Sequence, residues 1–471
     1  MFNQDNGKPE LNELRTEVKV LFDDDAVYIG AILYDNEPSK ILKEISERDN
    51  FGVTDFFGVF INGFNDGQQE FSFFVSASDG QMDLVRTTED EDTSWDAIWE
   101  SKAKITDIGW IVEMKIPYAA LRFPKEDKQT WGVNFFREVR RNRQMFTWNP
   151  VDNSKGFFTQ QAGILRGIEK INTPTRLFLI PYSSFYLNSF GKEKSFGTLK
   201  GGLDLKYGLT DAFTLDMVLI PDFGQTRFDD KILNLGPFEQ IFNENRPFFT
   251  EGTDLFNKGG LFYSRRIGQR ASKYPEISES EEVIEFPNTI DLVNAVKISG
   301  RTKEGLGIGF LNTVTKKTDV VIRDINTGNT RSETVEPLAN YNVLVLDQRF
   351  NGNSSVSLIN TNVTRNGNFR DANVTATTFD LNTKKNTFNL NGALNYSYVN
   401  NYANLPNKNG ILANLGFGET SGKVRFSVYG EYVSKEYDNN DLGVNFQTNY
   451  YSISANANYR LLQSTEKLNS F

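Results

Sequence analysis

Apolar and polar residues alternate along most of this chain, and the alternation changes character near residue 175. In the first third, Val18, Val20 and Phe22 alternate with Lys19 and Leu21, and Val27 to Leu33 make a second run ending at Tyr34. Phe57 to Ile61 and Phe71 to Val75 follow, separated by Gly and Asn turns. Trp110, Val112, Met114 and Ile116 alternate with Ile111, Glu113 and Lys115, and Trp131, Val133 and Phe135 with Gly132, Asn134 and Phe136. Period two over such lengths predicts half-buried strands of a sandwich. Trp110 and Trp131 fall on the apolar side and are expected in its core. Within this first region only Pro38 to Arg48 (PSKILKEISER) predicts a helix, starting at Pro38 or Ser39.

From about residue 175 the runs lengthen. Phe388, Leu390, Leu394, Tyr396 and Tyr398 oppose Asn389, Asn391, Asn395 and Ser397. Val424, Phe426, Val428 and Tyr432 oppose Lys423, Arg425, Ser427 and Glu431, and Tyr451 to Tyr459 continue in the same way. One face is apolar with aromatic ends and the other carries Asn, Ser and charge, as expected for lipid outside and a wet lumen inside. Runs of roughly ten to fifteen residues exceed the usual five to six of soluble sheets. Short connections near 209–211, 301–304, 351–353, 382–385 and 420–422 alternate with long ones near 189–196, 223–288, 317–338, 365–371, 401–409 and 436–443. Counted as up-and-down strands, this predicts about twelve of them to residue 460, with short turns on the periplasmic side. The chain is therefore expected to be all-β: a β-sandwich over 1–170, then a truncated antiparallel transmembrane β-barrel over 175–471. The barrel is expected to be unfinished, because Asn469, Lys467 and Thr465 share the face of Phe471 and a turn is expected at Gln463 to Glu466.

The excursion 223–288 carries Phe238, Phe242, Phe248, Phe249 and Phe256, too apolar for a free loop. It is expected to fold inward, with a short helix through Phe238 and Phe242 after Pro237. Arg246, Arg265 and Arg266 are expected to meet lumen carboxylates such as Asp204 or Asp216.

Composition narrows the chemistry. All five tryptophans precede residue 150, which marks the first region as a separate domain. There is no Cys and no His, so disulfides, His-based triads and the usual zinc sites are excluded. The net charge of −10 argues against nucleic acid as a partner. No run of about 18 apolar residues offers a helical span. Met1 opens into MFNQDNGKPE with no signal-peptide pattern, and the chain is expected to be a fragment.

Candidate binding residues cluster after an acidic loop. Trp95 and Trp99 lie four apart, so on an extended segment they share a face. Two readings stay open: a stacking platform for a sugar ring, with Asp96, Glu100 and Arg137 orienting it, or rim residues that close the sandwich core. Glu89, Asp90 and Asp92 could hold calcium, which takes several oxygens, or form a solvated charge run. Arg137, Arg140, Arg141 and Arg143 form a basic cluster that could meet phosphate or be a charged strand edge.

The segments TEVKVLFDDDAVYIGAILYD, WDAIWESKAKITDIGWIVEMKIPYAALRF and WGVNFFREVRRNRQ resemble the family-9 carbohydrate-binding module in its domain-like form, over about 15–165. Its most specific part is Gly109, Trp110, Glu113, Ile116, Pro117 and Leu121. The resemblance implies a β-sandwich that binds glycan ends, often with calcium; the family's usual opening strand is expected to be missing here. PDFGQ, NENRPFF and YSRRIG resemble an outer-membrane barrel family of Gram-negative bacteria, a domain of unknown function whose members carry the family-9-like module in front. Together these imply an outer-membrane barrel with a periplasmic carbohydrate-binding-like domain, engaged in glycan binding or uptake. Its partners would be carbohydrate, outer-membrane lipid and the barrel assembly machinery. One alternative is a glycoside hydrolase using carboxylates such as Asp222, Glu239, Glu244 and Glu251, which would need two of them about 5–9.5 Å apart. The other is a structural or assembly protein without sugar binding.

Overall fold

The computed structural model describes residues 1–460 except 5–6, 68, 88–90, 94, 153–157, 172–174, 189–195, 211, 222–232, 251–254, 269–270, 287–289, 303, 352 and 402–404. The fold is all-β, in two compact units that divide near Arg176 and Leu177.

The first unit is a sandwich. Its larger sheet contains β1 (Phe2–Asn3), β4 (Phe56–Asn62), β5 (Gln69–Ser76), β6 (Gln81–Thr87), β7 (Glu91–Asp92), β10 (Lys128–Val139), β11 (Gln144–Thr147) and β12 (Gly163–Glu169). The smaller sheet has the order β2 (Thr16–Phe22), β3 (Ala26–Tyr34), β9 (Gly109–Pro117), β8 (Glu100–Thr106). Their facing sides meet in one core, in which Trp110, Val112, Met114 and Ile116 join Val27, Ile29, Phe57, Phe73 and Trp131. The larger sheet is apolar on both faces, because Phe60, Phe74, Leu84 and Phe136 form a second cluster behind it. Gly58 makes that cluster possible: a Cβ there would stand 2.2 Å from the ring of Phe74.

The helix expected over Pro38 to Arg48 is not formed. Only a 3-10 turn, Pro38–Lys40, is helical. Ile41 is buried while Ile45 is exposed, so the two do not share the packed face a helix would give them. The backbone instead bridges to the β4 approach, with Asp55 N–H donating to Leu42 O and a β-bridge between Lys43 and Thr54. Tertiary pairing overrides local propensity here.

The second unit is an up-and-down antiparallel sheet of twelve strands: β13 (Leu177–Asn188), β14 (Phe196–Gly208), β15 (Phe213–Leu219), β17 (Leu292–Arg301), β18 (Leu306–Thr315), β21 (Ala339–Phe350), β22 (Ser354–Arg365), β23 (Asp371–Asn382), β24 (Phe388–Asn400), β25 (Lys408–Glu419), β26 (Val424–Val433) and β27 (Tyr450–Tyr459). Each pairs with its neighbours in chain order, and among the described residues β13 and β27 have one neighbour each. The long connections carry a separate small sheet of β16 (Glu281–Glu285), β19 (Thr318–Asp324) and β20 (Thr330–Glu336). No helix among the described residues is long and apolar enough to cross a membrane.

One face of the twelve-stranded sheet is covered by two connections. From the insertion between β15 and β17, Phe248, Phe249, Leu255, Phe256, Leu261 and Ile267 pack on Leu311, Val343, Val345 and Ile359. From the β26–β27 connection, Leu442 joins the same cluster, and Tyr263 N–H donates to its carbonyl at 2.6 Å. The opposite face is open, and on β24 it is apolar. On β24, Leu394 and Tyr396 are 57% and 48% exposed, while Asn395 and Ser397 between and beside them are 3% and 0% exposed.

Two expectations for the insertion are corrected. Phe238 and Phe242 are not on a helix; the helical turn is Pro247–Thr250. The Phe242 backbone is held by the Tyr263 hydroxyl, which accepts from its N–H at 3.0 Å and lies 3.1 Å from its carbonyl. Among the described residues the ion pairs of these arginines lie inside the insertion: Arg246 and Arg265 with Glu244, at 2.7 and 3.8 Å, and Arg266 with Glu239 at 2.8 Å. Asp216 is met by the neighbouring strand's Lys297 instead, at 3.6 Å. Sequence-local carboxylates reach an arginine at lower ordering cost than distant ones.

Candidate functional site

The β5–β6 hairpin turn bounds a polar cleft in the first unit. Asp79 sits in the left-handed region (φ 70°), and Gly80 N–H donates to the Ser76 hydroxyl at 2.9 Å. The cleft, of about 480 Å³, is lined by Arg48, Asp79, Gly80, Gln81, Glu100 and Ser101. Gln81 crosses between the two sheets: its amide donates to the Ser101 hydroxyl at 2.9 Å and its carbonyl accepts from Arg48 at 2.7 Å.

Beneath the cleft lies Asp83 on β6, fully buried. Its two oxygens accept from Arg48 Nη2 at 3.0 Å, and one also accepts from Ala97 N–H at 2.8 Å and Trp99 Nε1–H at 3.1 Å. Burial pushes its carboxyl up to about 6, against the Ala97 N–H and the Arg48 charge, which pull it down. Arg48 also meets Asp96 at 2.9 Å and Asp49 at 3.5 Å. One guanidinium thus gathers three carboxylates and fixes the cleft floor. Glu100 is exposed at the rim and pairs loosely with Lys115, at 3.4 Å.

These contacts correct the platform expected of Trp95 and Trp99. Trp99 is buried, edge-on to Phe73 at 5.3 Å, with its indole N–H spent on Asp83. Trp95 is half-buried and packs on Phe71 and Phe73 at 5.1 and 5.8 Å. They close the core, because a ring beside a phenylalanine cluster removes more apolar area from water than one facing out. Arg137 is likewise not at the cleft. It is fully buried on β10 and donates to the carbonyls of Leu14 and Tyr34, tying the two sheets together. Arg141 makes a two-bond pair with Asp35, at 2.7 and 2.9 Å, and Arg140 pairs with Glu138 at 2.8 Å. Of the expected orienting residues, Glu100 lines the cleft, and Asp96 is tied to it through Arg48. Arg48, Asp79, Gln81 and Asp83 were not foreseen; the one sequence signal was polar residues flanking a tight turn.

Of the acidic loop, Glu89 and Asp90 lie outside the described residues. Asp92 is on the short strand β7, and its neighbour Glu91 pairs with Arg86 at 2.6 Å. Among the described residues no group of three acidic side chains is arranged to hold a metal. Of the carboxylates a hydrolase could use, Asp222 and Glu251 lie outside the described residues, and Glu239 and Glu244 are each paired with arginine. Trp148 is the most exposed tryptophan, at 45%, lying over Gly163 and against Phe135 at 5.8 Å.

Residues 173–471 match the model of a family described as Domain of unknown function (DUF5916), and residues 2–154 match that of the Carbohydrate family 9 binding domain-like family. No curated protein matches the chain. Among solved structures, outer-membrane expressed OmpT of Vibrio cholerae is similar at 11% identity over 89% of this chain and 100% of its own, with a TM-score of 0.26. OccAB1 of Acinetobacter baumannii is similar at 8% identity over 86% of this chain and 74% of its own, with a TM-score of 0.26. Superposition that weak carries no argument about fold or function.

Proposed function

The chain belongs to the family described as Domain of unknown function (DUF5916), and from that premise we propose that it is an outer-membrane protein that binds glycans through its first unit, in the service of capture or uptake. The glycan part rests on the match of residues 2–154 to a carbohydrate-binding domain-like family. The cleft is compatible with it: Gln81, Ser101, Glu100 and Asp79 offer both donors and acceptors, as a polyol requires. The membrane part rests on inverted burial on β24, where leucine and tyrosine are exposed and asparagine and serine are covered, which suits a surface solvated by lipid. Strand β13 starts at the end of the sheet with short connections, which favours a periplasmic first unit.

The test is titration of the full chain in detergent with mono- and oligosaccharides, beside Glu100→Ala and Trp148→Ala. Polar contacts in an open cleft give weak binding, with dissociation constants of roughly micromolar to millimolar. Loss of affinity in Glu100→Ala, with the same unfolding midpoint, supports the cleft. Loss only in Trp148→Ala moves the site to that ring. No binding by the wild-type chain favours a structural or assembly role.

A further inference from the structure

The open face of the twelve-stranded sheet is not uniformly apolar. Outward positions on β24 read Phe388, Leu390, Gly392, Leu394, Tyr396, Tyr398 and Asn400, giving five large apolar or aromatic side chains along the strand. Outward positions on β22 offer only Val356 and Leu358, and on β23 only Phe379 and Leu381. The remaining outward positions there are Asn360, Asn362 and Thr364, and Asp371, Asn373, Thr375 and Thr377.

The registers join these into one patch. Asn312 of β18 pairs with Asn342 of β21, Asn342 with Asn362 of β22, and Asn362 with Asn373 of β23. Four asparagines therefore lie in an unbroken row across four strands, all half-buried on the open face. Asn340 and Asn360 extend it. Asn312 donates to the side-chain carbonyls of Asn340 and Asn342 at 2.7 and 2.8 Å, and Asn360 donates to Asn373 and Thr375 at 3.2 and 2.8 Å. The same row is apolar or aromatic on both flanks, with Val296 beside Asn312 and Tyr398 beside Asn373. Across the strands the patch is bounded by these positions, and along them it runs on to the long-connection ends through Asn340, Thr364 and Asp371.

A lipid-facing band about 25 Å tall on strands tilted about 40° needs about five outward apolar positions per strand. Strand β24 meets this and β22 and β23 do not. Amides in hydrocarbon lose water without gaining a full set of partners, which makes this sector a poor lipid surface. A carboxamide is uncharged and carries both donor and acceptor, so a row of them matches a second copy of itself across a two-fold axis, where a charged row would repel its copy.

We propose that the asparagine row across β18, β21, β22 and β23 is a self-association surface by which two copies of this chain meet within the membrane. The proposal rests on the membrane reading above.

The chain has no cysteine, so one introduced thiol reports on one position. Asn362→Cys and Asn373→Cys, each alone, are oxidised in intact outer membranes beside Leu415→Cys on the apolar sector. Expected is a disulfide-linked species of twice the 53.5 kDa chain for at least one asparagine position and none for Leu415→Cys. No self-cross-link at either asparagine, cross-linking to a protein of another mass, or equal cross-linking at Leu415→Cys overturns it. A water-soluble maleimide separates the two levels of failure. Labelling of Leu415→Cys in intact membranes defeats the membrane reading and the proposal with it. Protection of Leu415→Cys without an asparagine cross-link defeats this proposal alone.

Discussion

Strands β9 and β24 share a period-two pattern and bury opposite halves of it. On β9 the apolar set Trp110, Val112, Met114 and Ile116 is buried and Glu113 is exposed. On β24 the polar Asn395 and Ser397 are buried, and Leu394, Tyr396 and Tyr398 are exposed. Alternation alone fixes that a segment is a strand and which residues share a face. Which face is covered depends on what packs there. For β9 it is a second apolar sheet. For β24 it is the β26–β27 connection, whose Tyr437 hydroxyl accepts from the Asn395 amide at 3.3 Å and whose Asp438 N–H donates to the Ser397 hydroxyl at 3.1 Å. Length separates the cases as well: nine residues against thirteen.

The comparison breaks most sharply where a side chain is removed from the covered apolar face. Trp110→Ala is expected to destabilise the first unit by about 3–5 kcal/mol, through lost transfer energy and an unfilled cavity. All the tryptophans lie in that unit, so tryptophan emission during a guanidinium titration of the full chain reports it alone. An unchanged midpoint would contradict the core placement. The next largest effect is expected on the open face of the other unit. Leu394→Arg should cost about 2–4 kcal/mol if that position lies near the midplane of a bilayer. Glu113→Arg, at the exposed position of β9, should cost almost nothing. Heat-resistant gel migration of the refolded chain measures the first, and equal tolerance of both changes would remove the distinction between the units.

Much of this architecture was legible in sequence, for a physical reason. Strand length, facing and the alternation of short and long connections are local properties, so the twelve strands and the core positions of Trp110 and Trp131 could be read directly. What could not be read depends on distant partners. Ile41 and Ile45 have helical spacing, yet the segment answers to Thr54 and Asp55. Trp95 and Trp99 have the spacing of a shared face, but Phe71, Phe73 and Asp83 on other strands decide that it turns inward. The cleft itself is assembled from a loop, a hairpin and the start of β8, and Arg48 reaches a carboxylate 35 positions away.

Trp99→Phe gives a smaller expected effect than Trp110→Ala or Leu394→Arg, and the finest distinction between an inward and an outward ring. Phenylalanine keeps most of the contact with Phe73 and deletes the indole N–H that Asp83 accepts at 3.1 Å. If the ring were a sugar platform, the change would weaken binding and leave stability alone. As a buried donor it should do the reverse, costing about 1–2 kcal/mol where the carboxylate is charged. The pH dependence follows from the sign of the shift. Burial raises the Asp83 carboxyl to about 6 in the folded unit, so its contribution to stability is fully present below the unfolded value near 3.8 and is lost as pH rises through about 6. The indole N–H offsets that loss by stabilising the charged form. Removing it should therefore matter little at pH 4 and most above pH 7, so the wild type and Trp99→Phe should unfold together in acid and diverge at neutral pH. A gap that stays constant across that range, or sugar affinity that falls while the unfolding midpoint holds, would return Trp99 to the surface role.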